Sequence, residues 1–408
     1  MDMQQRIVIT GIGAVTSIGT GGQQFWDNVL AGRCGISPVE SFDTKDFSVH
    51  RGGEVKGFCP GDHVLSLDPD HLGRSSQFAI AAARMALADA DEDLGAMNPE
   101  RVGVSLGTTL GESFEMQQAL PHFIYGELEK IRPDFMSTYP CHVLTAHVGC
   151  ELQVSGINMV IPAACAAGNY AIAYAFDALR SGRADLMLAG GVDAFSRLAF
   201  TGFARLGALA PDVCQPFDRN RKGMIPGEGA AMMVLEPLDR AVKRNARIYA
   251  EVLGYGQSCD AYHITSSHPQ GNGPARAMEK ALNDSGLNPQ DVSYISAHGT
   301  GTRTNDRIET AAIKRVFKEE AYRIPISSIK SMLGHTLGAA SAIEAVACAL
   351  AVFHDTIPPT INFQEPDPEC DLDYVPNEAR THSTRVAMNN AYGFGGYNSS
   401  LILSKCRI

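Results

Sequence analysis

The chain has 408 residues, 45% hydrophobic and 19% charged, which bounds it to one large or two medium globular domains with a substantial core. Lys plus Arg number 34 against 45 Asp plus Glu, and this balance of −11 argues against general nucleic-acid affinity, although a local basic patch can still dock an acidic partner. No secretory signal opens the chain and no stretch reads as apolar and uncharged for long enough to span a bilayer, so a cytoplasmic protein is expected.

In chain order, RIVITGIG (6–13) predicts a strand. Its GIGAVT begins like a dinucleotide fingerprint, but Thr16 occupies the third glycine's place. SSQFAIAAARMALADA (75–90) predicts an Ala-rich amphipathic helix, and RVGVSLG (101–107), INMVIPA (157–163) and ADLMLAGG (184–191) predict further strands. Strands alternating with helices indicate an α/β layered protein. One echo divides the chain: ARMALADADEDLGAMNPERVGVSLGTT (83–109) and ARAMEKALNDSGLNPQDVSYISAHGTGT (275–302) share a helix, an Asn-Pro turn, a strand and a Gly/Thr loop. Two similar halves are expected, 1–245 and 246–408, with the seam in EPLDRAVKRNARIYAEV (236–252).

The ten cysteines form no CxxC pair and no Cys/His zinc pattern, so reduced thiols are expected, most of them packing. Cys165 differs. In INMVIPAACAAGNYAIAYAFDALRSG it stands where a strand turns into a helix, and the free N–H groups and dipole of a helix N-terminus favour a thiolate. The small residues after it leave room for a bulky thioester. Two histidines lie in Gly-flanked loops after apolar runs, His298 in SYISAHGTGTRTND and His335 in SSIKSMLGHTLGAASAIEA. No HExxH or comparable ligand cluster accompanies them, so no metal is expected. Glycines bracket Phe394 in YGFGGYNSS, a backbone able to aim N–H groups at a small acceptor.

AACAAG, HGTGTRTND, KSMLGHTLGAASAIE and GFGGYN, in this order, resemble the elongating β-ketoacyl-ACP synthases of fatty-acid and type II polyketide synthesis, and the likeness runs almost end to end. The resemblance implies a thiolase fold, two duplicated α/β halves in a five-layered αβαβα arrangement. It implies Cys165 as the acyl-accepting nucleophile, His298 and His335 as the paired histidines, and Lys330 as the lysine of the second motif, with Glu344 its partner acid. Asp306 matches an acid of the first histidine loop, although a helix N-cap with Glu309 at N3 reads equally well there. Thr300 and Thr302 match threonines that bind the phosphopantetheine arm, Phe203 and Phe394 match aromatics at the pocket mouth, and Leu110 falls near the floor of the acyl tunnel across the dimer. The backbone N–H groups of Cys165 and Phe394 would form the oxyanion hole.

The implied reaction is a decarboxylative Claisen condensation of a cysteine-bound acyl group with malonyl-acyl carrier protein. It needs no cofactor beyond the carrier's phosphopantetheine. The implied partners are an acyl carrier protein and a second subunit, identical or a chain-length factor, with no nucleic acid and no membrane. Arg221, Lys222, Lys243, Arg244 and Arg247 are candidate carrier contacts. Ala167, Gly207, Ala391 and Tyr397 depart from the common pattern, which favours a secondary-metabolite, type II polyketide role over primary fatty-acid synthesis. The alternative is a non-catalytic, chain-length-determining partner subunit. Such subunits typically lack the cysteine that this chain keeps.

Overall fold

A computed structural model describes residues 5–407. Ten strands carry the architecture: β1 (Ile7–Thr16), β2 (Val102–Gly107), β3 (Asn158–Ile161), β4 (Leu186–Asp193), β5 (Gly229–Pro237), β6 (Ala250–Cys259), β7 (Tyr294–Ser296), β8 (Ile326–Ser327), β9 (Val386–Gly393) and β10 (Tyr397–Ser404). They run β8-β7-β9-β10-β6-β1-β5-β4-β2-β3 across one sheet, with the short strand Gly19–Thr20 added beside β1.

The order is a duplication written in hydrogen bonds. In the first half the spatial order is first, fifth, fourth, second, third strand, and the second half repeats it from β6 to β8. In each, the second strand pairs in parallel with the third and fourth, and the fourth and fifth pair antiparallel. The halves join where β1 pairs with β6 through Ile7, Val8 and Ile9. The Asn-Pro echo is a matching 3₁₀ turn ahead of the second strand in each half, Pro99–Arg101 and Pro289–Asp291.

Five helices complete the layers: α1 (Arg74–Asp89), α2 (Ala167–Arg180), α3 (Asn272–Ser285), α4 (Arg303–Phe317) and α5 (Ala340–His354). α2 and α5 fill the middle, where Ile172 and Phe176 share one core with Ile343, Val346, Ile9 and Leu403. α1 covers the outer face of the first half around Ile80, Leu106 and Val234, while α3 and α4 cover the second around Met278, Ile313 and Ile402. Gly11 and Gly13 owe nothing to nucleotide binding. A Cβ at either would fall within 2.1 Å of a carbonyl oxygen of α1, Ala86 or Ala82, so these glycines let helix and strand close.

Leu337–His354 passes for a membrane span by length and mean composition, but it carries Glu344 and is almost entirely buried, as the central helix of a layered fold must be apolar nearly all round.

Candidate active site

β3 ends at Ile161, and the chain then turns through Ala164 at φ 48° into a 3₁₀ turn, Ala164–Ala166, from which α2 begins at Ala167. Cys165 is therefore presented at the helix start on a strained backbone, only 8% exposed. β7 delivers His298 and β8 leads to His335 just before α5, and both rings are buried. The three meet: one ligand-type atom from each of Cys165, His298 and His335 lies within 4.8 Å of the other two. The histidine rings stand 5.4 Å apart and nearly perpendicular.

Burial holds both imidazoles well below their ordinary value, and the neighbouring Lys330 charge adds to this, so both are neutral. The N–H of Leu337 donates to Nδ1 of His335 at 3.2 Å, which leaves the ring proton on Nε2. Nδ1 of His298 has no hydrogen-bond partner among the described residues. Burial pushes the Cys165 thiol up to about 12, against the pull of Lys330 and of the cysteine's own N–H. The helix-start position read from sequence is present, but the resting sulfur is a thiol.

Lys330 and Glu344 form a fully buried ion pair beside this cluster. Burial pushes the Glu344 carboxyl up while the ammonium pulls it back down. A cavity of about 440 Å³ opens from Cys165, His298 and His335 to the surface, lined also by Phe203, Thr300, Thr302 and Phe394. Phe203 and Phe394 flank its mouth with ring centroids 5.6 Å apart, and the hydroxyls of Thr300 and Thr302 are 2.9 Å apart. In the loop after β9, Gly395 and Gly396 take φ 83° and 79°, and Gly395 donates its N–H to the carbonyl of Ile264 at 2.7 Å. That left-handed turn needs glycine, and it brings Phe394 to the cavity wall.

Leu110, expected at the tunnel floor across the dimer, does not line the cavity of its own chain and donates its N–H to Asp193 at 3.0 Å. Asp306 lies beneath the site, accepting the N–H groups of Phe217 and Gly301 and facing Arg221 at 3.4 Å. The N-cap reading of Asp306 is wrong. Thr302 caps α4, accepting the N–H of Asn305, so Asp306 and Glu309 both sit inside the helix. Among the candidate docking cations, Arg221 is buried against Asp306 and Asp367 and cannot meet a carrier. Arg244 lies across Glu236 and Glu92, whereas Lys222 is exposed on the cavity wall.

Sequence reasoning missed three supports. Glu309 accepts the N–H groups of His298 and Gly299, both at 2.8 Å, although burial pushes it up to about 8. Its place in the sequence reads as a cap partner. Tyr392 stands 5.6 Å from the His298 ring, its hydroxyl without a hydrogen-bond partner among the described residues, and Asp193 ends β4, two residues beyond the strand expected over 184–191.

Known proteins are similar in sequence and fold. Residues 4–241 match the β-ketoacyl synthase N-terminal domain and residues 249–364 the β-ketoacyl synthase C-terminal domain. A "3-oxoacyl-[acyl-carrier-protein] synthase 2" of Synechocystis sp. is 40% identical over 409 residues, covering 98% of each chain. Among solved structures, "the ishigamide ketosynthase/chain length factor" is 43% identical, with a TM-score of 0.96 over 99% of this chain and 100% of that one. A type II PKS acyl-carrier protein in complex with its ketosynthase bound to the hexaketide gives 34%, 0.92, 99% and 100%. The cluster of one thiol and two neutral imidazoles thus stands in a chain that belongs to the β-ketoacyl synthase family, and its fold is the thiolase fold of the ketosynthases.

Proposed function

We propose that the chain condenses an acyl group held on Cys165 with malonyl-acyl carrier protein, releasing carbon dioxide and forming a β-ketoacyl carrier. The half spanning 1–245 supplies the nucleophile and the half spanning 246–408 both histidines. The single observation that carries this is the convergence of Cys165, His298 and His335 within 4.8 Å at the end of one cavity.

The acyl thioester enters past Phe203 and Phe394, its arm held by Thr300 and Thr302. Cys165 sulfur attacks the carbonyl carbon, the carrier thiol leaves with the proton, and negative charge collects on the carbonyl oxygen. N–H groups of Cys165 and Phe394 receive that charge. Gly393 supports this role, since a Cβ there would crowd the Cys165 amide nitrogen at 3.0 Å. Losing one such donor costs roughly 3–4 kcal/mol of transition-state stabilisation. Malonyl thioester then replaces the free carrier. Nε2–H of His335, with His298 beside it, donates to the malonyl thioester oxygen and stabilises the enolate formed as carbon dioxide departs. The enolate carbon attacks the Cys165 thioester, and sulfur leaves. Neutral rings suit this step, because decarboxylation supplies the nucleophile without any proton abstraction. Lys330, beside the cluster, eases the negative charge on sulfur, with Glu344 and Asp306 as supporting acids.

We place the chain in the cytoplasm, where its ten unpaired thiols persist. The partners are an acyl carrier protein and a second ketosynthase-like subunit, which Leu110 reaches across the interface. A type II polyketide substrate is favoured by the likeness to the type II PKS ketosynthase and by Tyr397, a departure from the common pattern whose ring packs edge-on against Tyr170. Mass spectrometry of cysteinyl adducts after incubation with a panel of acyl carriers tests the reading. Polyketide-like or unsaturated chains should load Cys165 in preference to saturated ones. Exclusive loading by saturated acyl chains overturns the polyketide assignment, and no adduct on Cys165 overturns the reaction.

A further inference from the structure

The two halves repeat each other closely enough for corresponding atoms to be compared. In each, the third strand leads to one non-glycine residue at positive φ, Ala164 at 48° or Leu337 at 54°. A 3₁₀ turn follows, Ala164–Ala166 or Leu337–Ala339, and the central helix starts at Ala167 or Ala340. Cys165 and Gly338 are therefore counterparts. Each fourth strand ends opposite the first residue of the fifth, Asp193 facing Gly229 and Gly393 facing Tyr397, so Asp193 and Gly393 are counterparts too.

In the reactive half, Gly393 keeps side-chain atoms away from the Cys165 amide. In the other half a side chain is present and carries an anion. The fully buried Asp193 carboxylate accepts the N–H of Gly338 at 2.6 Å, those of Thr109 and Leu110 at 2.8 and 3.0 Å, and the hydroxyl of Thr108 at 2.7 Å.

We infer that Asp193 is a built-in counterpart of the substrate oxyanion and that, by gripping the Gly338 amide, it positions His335 for the condensation step. The path is short. Gly338 belongs to the turn Leu337–Ala339, Leu337 holds a strained left-handed conformation there, and its N–H fixes the proton of His335 on Nε2. The same carboxylate anchors the Thr108–Leu110 loop of the first half, so one anion ties the two halves together. Asp193 is a positioning residue. It rests on the role proposed above for His335 as donor to the malonyl thioester.

Asp193→Asn puts an NH₂ group against amide donors and loosens this grip at nearly constant volume. Loading of Cys165 and the subsequent condensation are timed separately by chemical quench, alongside ¹⁵N-histidine NMR of the intact enzyme. Loading should stay at the wild-type rate while condensation falls about 10²-fold, because a small misplacement of the donor suffices. The KM for malonyl carrier should hold, and the His335 signal should change from Nε2–H alone to a mixture of tautomers. Thr108→Val, which removes one donor only, should shift both readouts less and in the same direction. A proportional loss of loading and condensation, or no loss in either, overturns the inference. So does a wild-type His335 protonated on Nδ1, which decides the matter even if Asp193→Asn does not fold. If wild-type enzyme never loads Cys165, the proposed function fails instead, and the tautomer still tests the inference.

Discussion

Leu337 gives its backbone N–H to Nδ1 of His335, and that one contact makes the imidazole a donor through Nε2. Burial and the Lys330 charge keep both rings neutral, because the protonated forms are penalised in the folded enzyme. The folded values lie well below 6.5, so lowering the pH through 6.5 protonates neither ring. The rate of the condensation half-reaction, followed from pH 8 to 5.5, should show no acid limb near 6.5. A limb there that persists in Glu344→Gln, whose carboxyl burial pushes up to about 7, would mean that a solvated, ordinary histidine controls the step.

Gly393→Ala tests the crowding at the Cys165 amide. The glycine sits at φ −127° and ψ 160°, which alanine adopts freely, so only the new Cβ matters. It would lie 3.0 Å from both the Cys165 nitrogen and the Ala164 Cβ. Acyl loading should fall about 10²–10³-fold, the scale of one lost oxyanion donor, with circular dichroism unchanged. Wild-type loading kinetics would remove this turn from the site.

The Lys330–Glu344 pair lies wholly inside the protein. Lys330→Met strands the carboxylate and should cost about 3–5 kcal/mol in urea denaturation. Adding Glu344→Gln removes the stranded charge and should restore most of that stability, but not the activity. A single-variant cost below about 1 kcal/mol, the scale of an exposed pair, would contradict the buried arrangement.

Arg221 and Lys222 are neighbours in sequence with different work. Arg221→Ala leaves Asp306 without its facing cation and should destabilise the fold by about 3 kcal/mol, in a thermal or urea titration. Lys222→Ala should leave the melting temperature alone and raise the KM for carrier at low salt, a difference that disappears as salt screens the surface charge. Equal effects of the two changes on KM would restore Arg221 as a docking residue.

Much of the fold was legible because its signals are local. The alternation of β1, α1 and β2 and the Asn-Pro echo are patterns of neighbouring residues, and the structure has them with ends shifted by three residues at most. Cys165, His298 and His335 were legible as strand-to-loop residues, and their resemblance to a family joined them where spacing could not. What escaped depends on contacts between distant segments. Asp193 reads as the polar end of a strand until Gly338, 145 residues away, is placed against it. Glu309 and Asp306 read as a cap because their partners are backbone groups, which carry no sequence signal. Arg221 reads as a surface cation because the acids that bury it come from Asp306 and Asp367.

The most direct measurement is intact-protein mass spectrometry on wild type, Cys165→Ala, His298→Ala and His335→Ala, each given acyl carrier and then malonyl carrier. Three chemistries sharing one buried point require a definite pattern. Cys165→Ala should take up no acyl group, and either histidine variant should accumulate the acyl-enzyme without releasing β-ketoacyl product. Product from a histidine variant at the wild-type rate, or an acyl group on any other cysteine, would contradict the account.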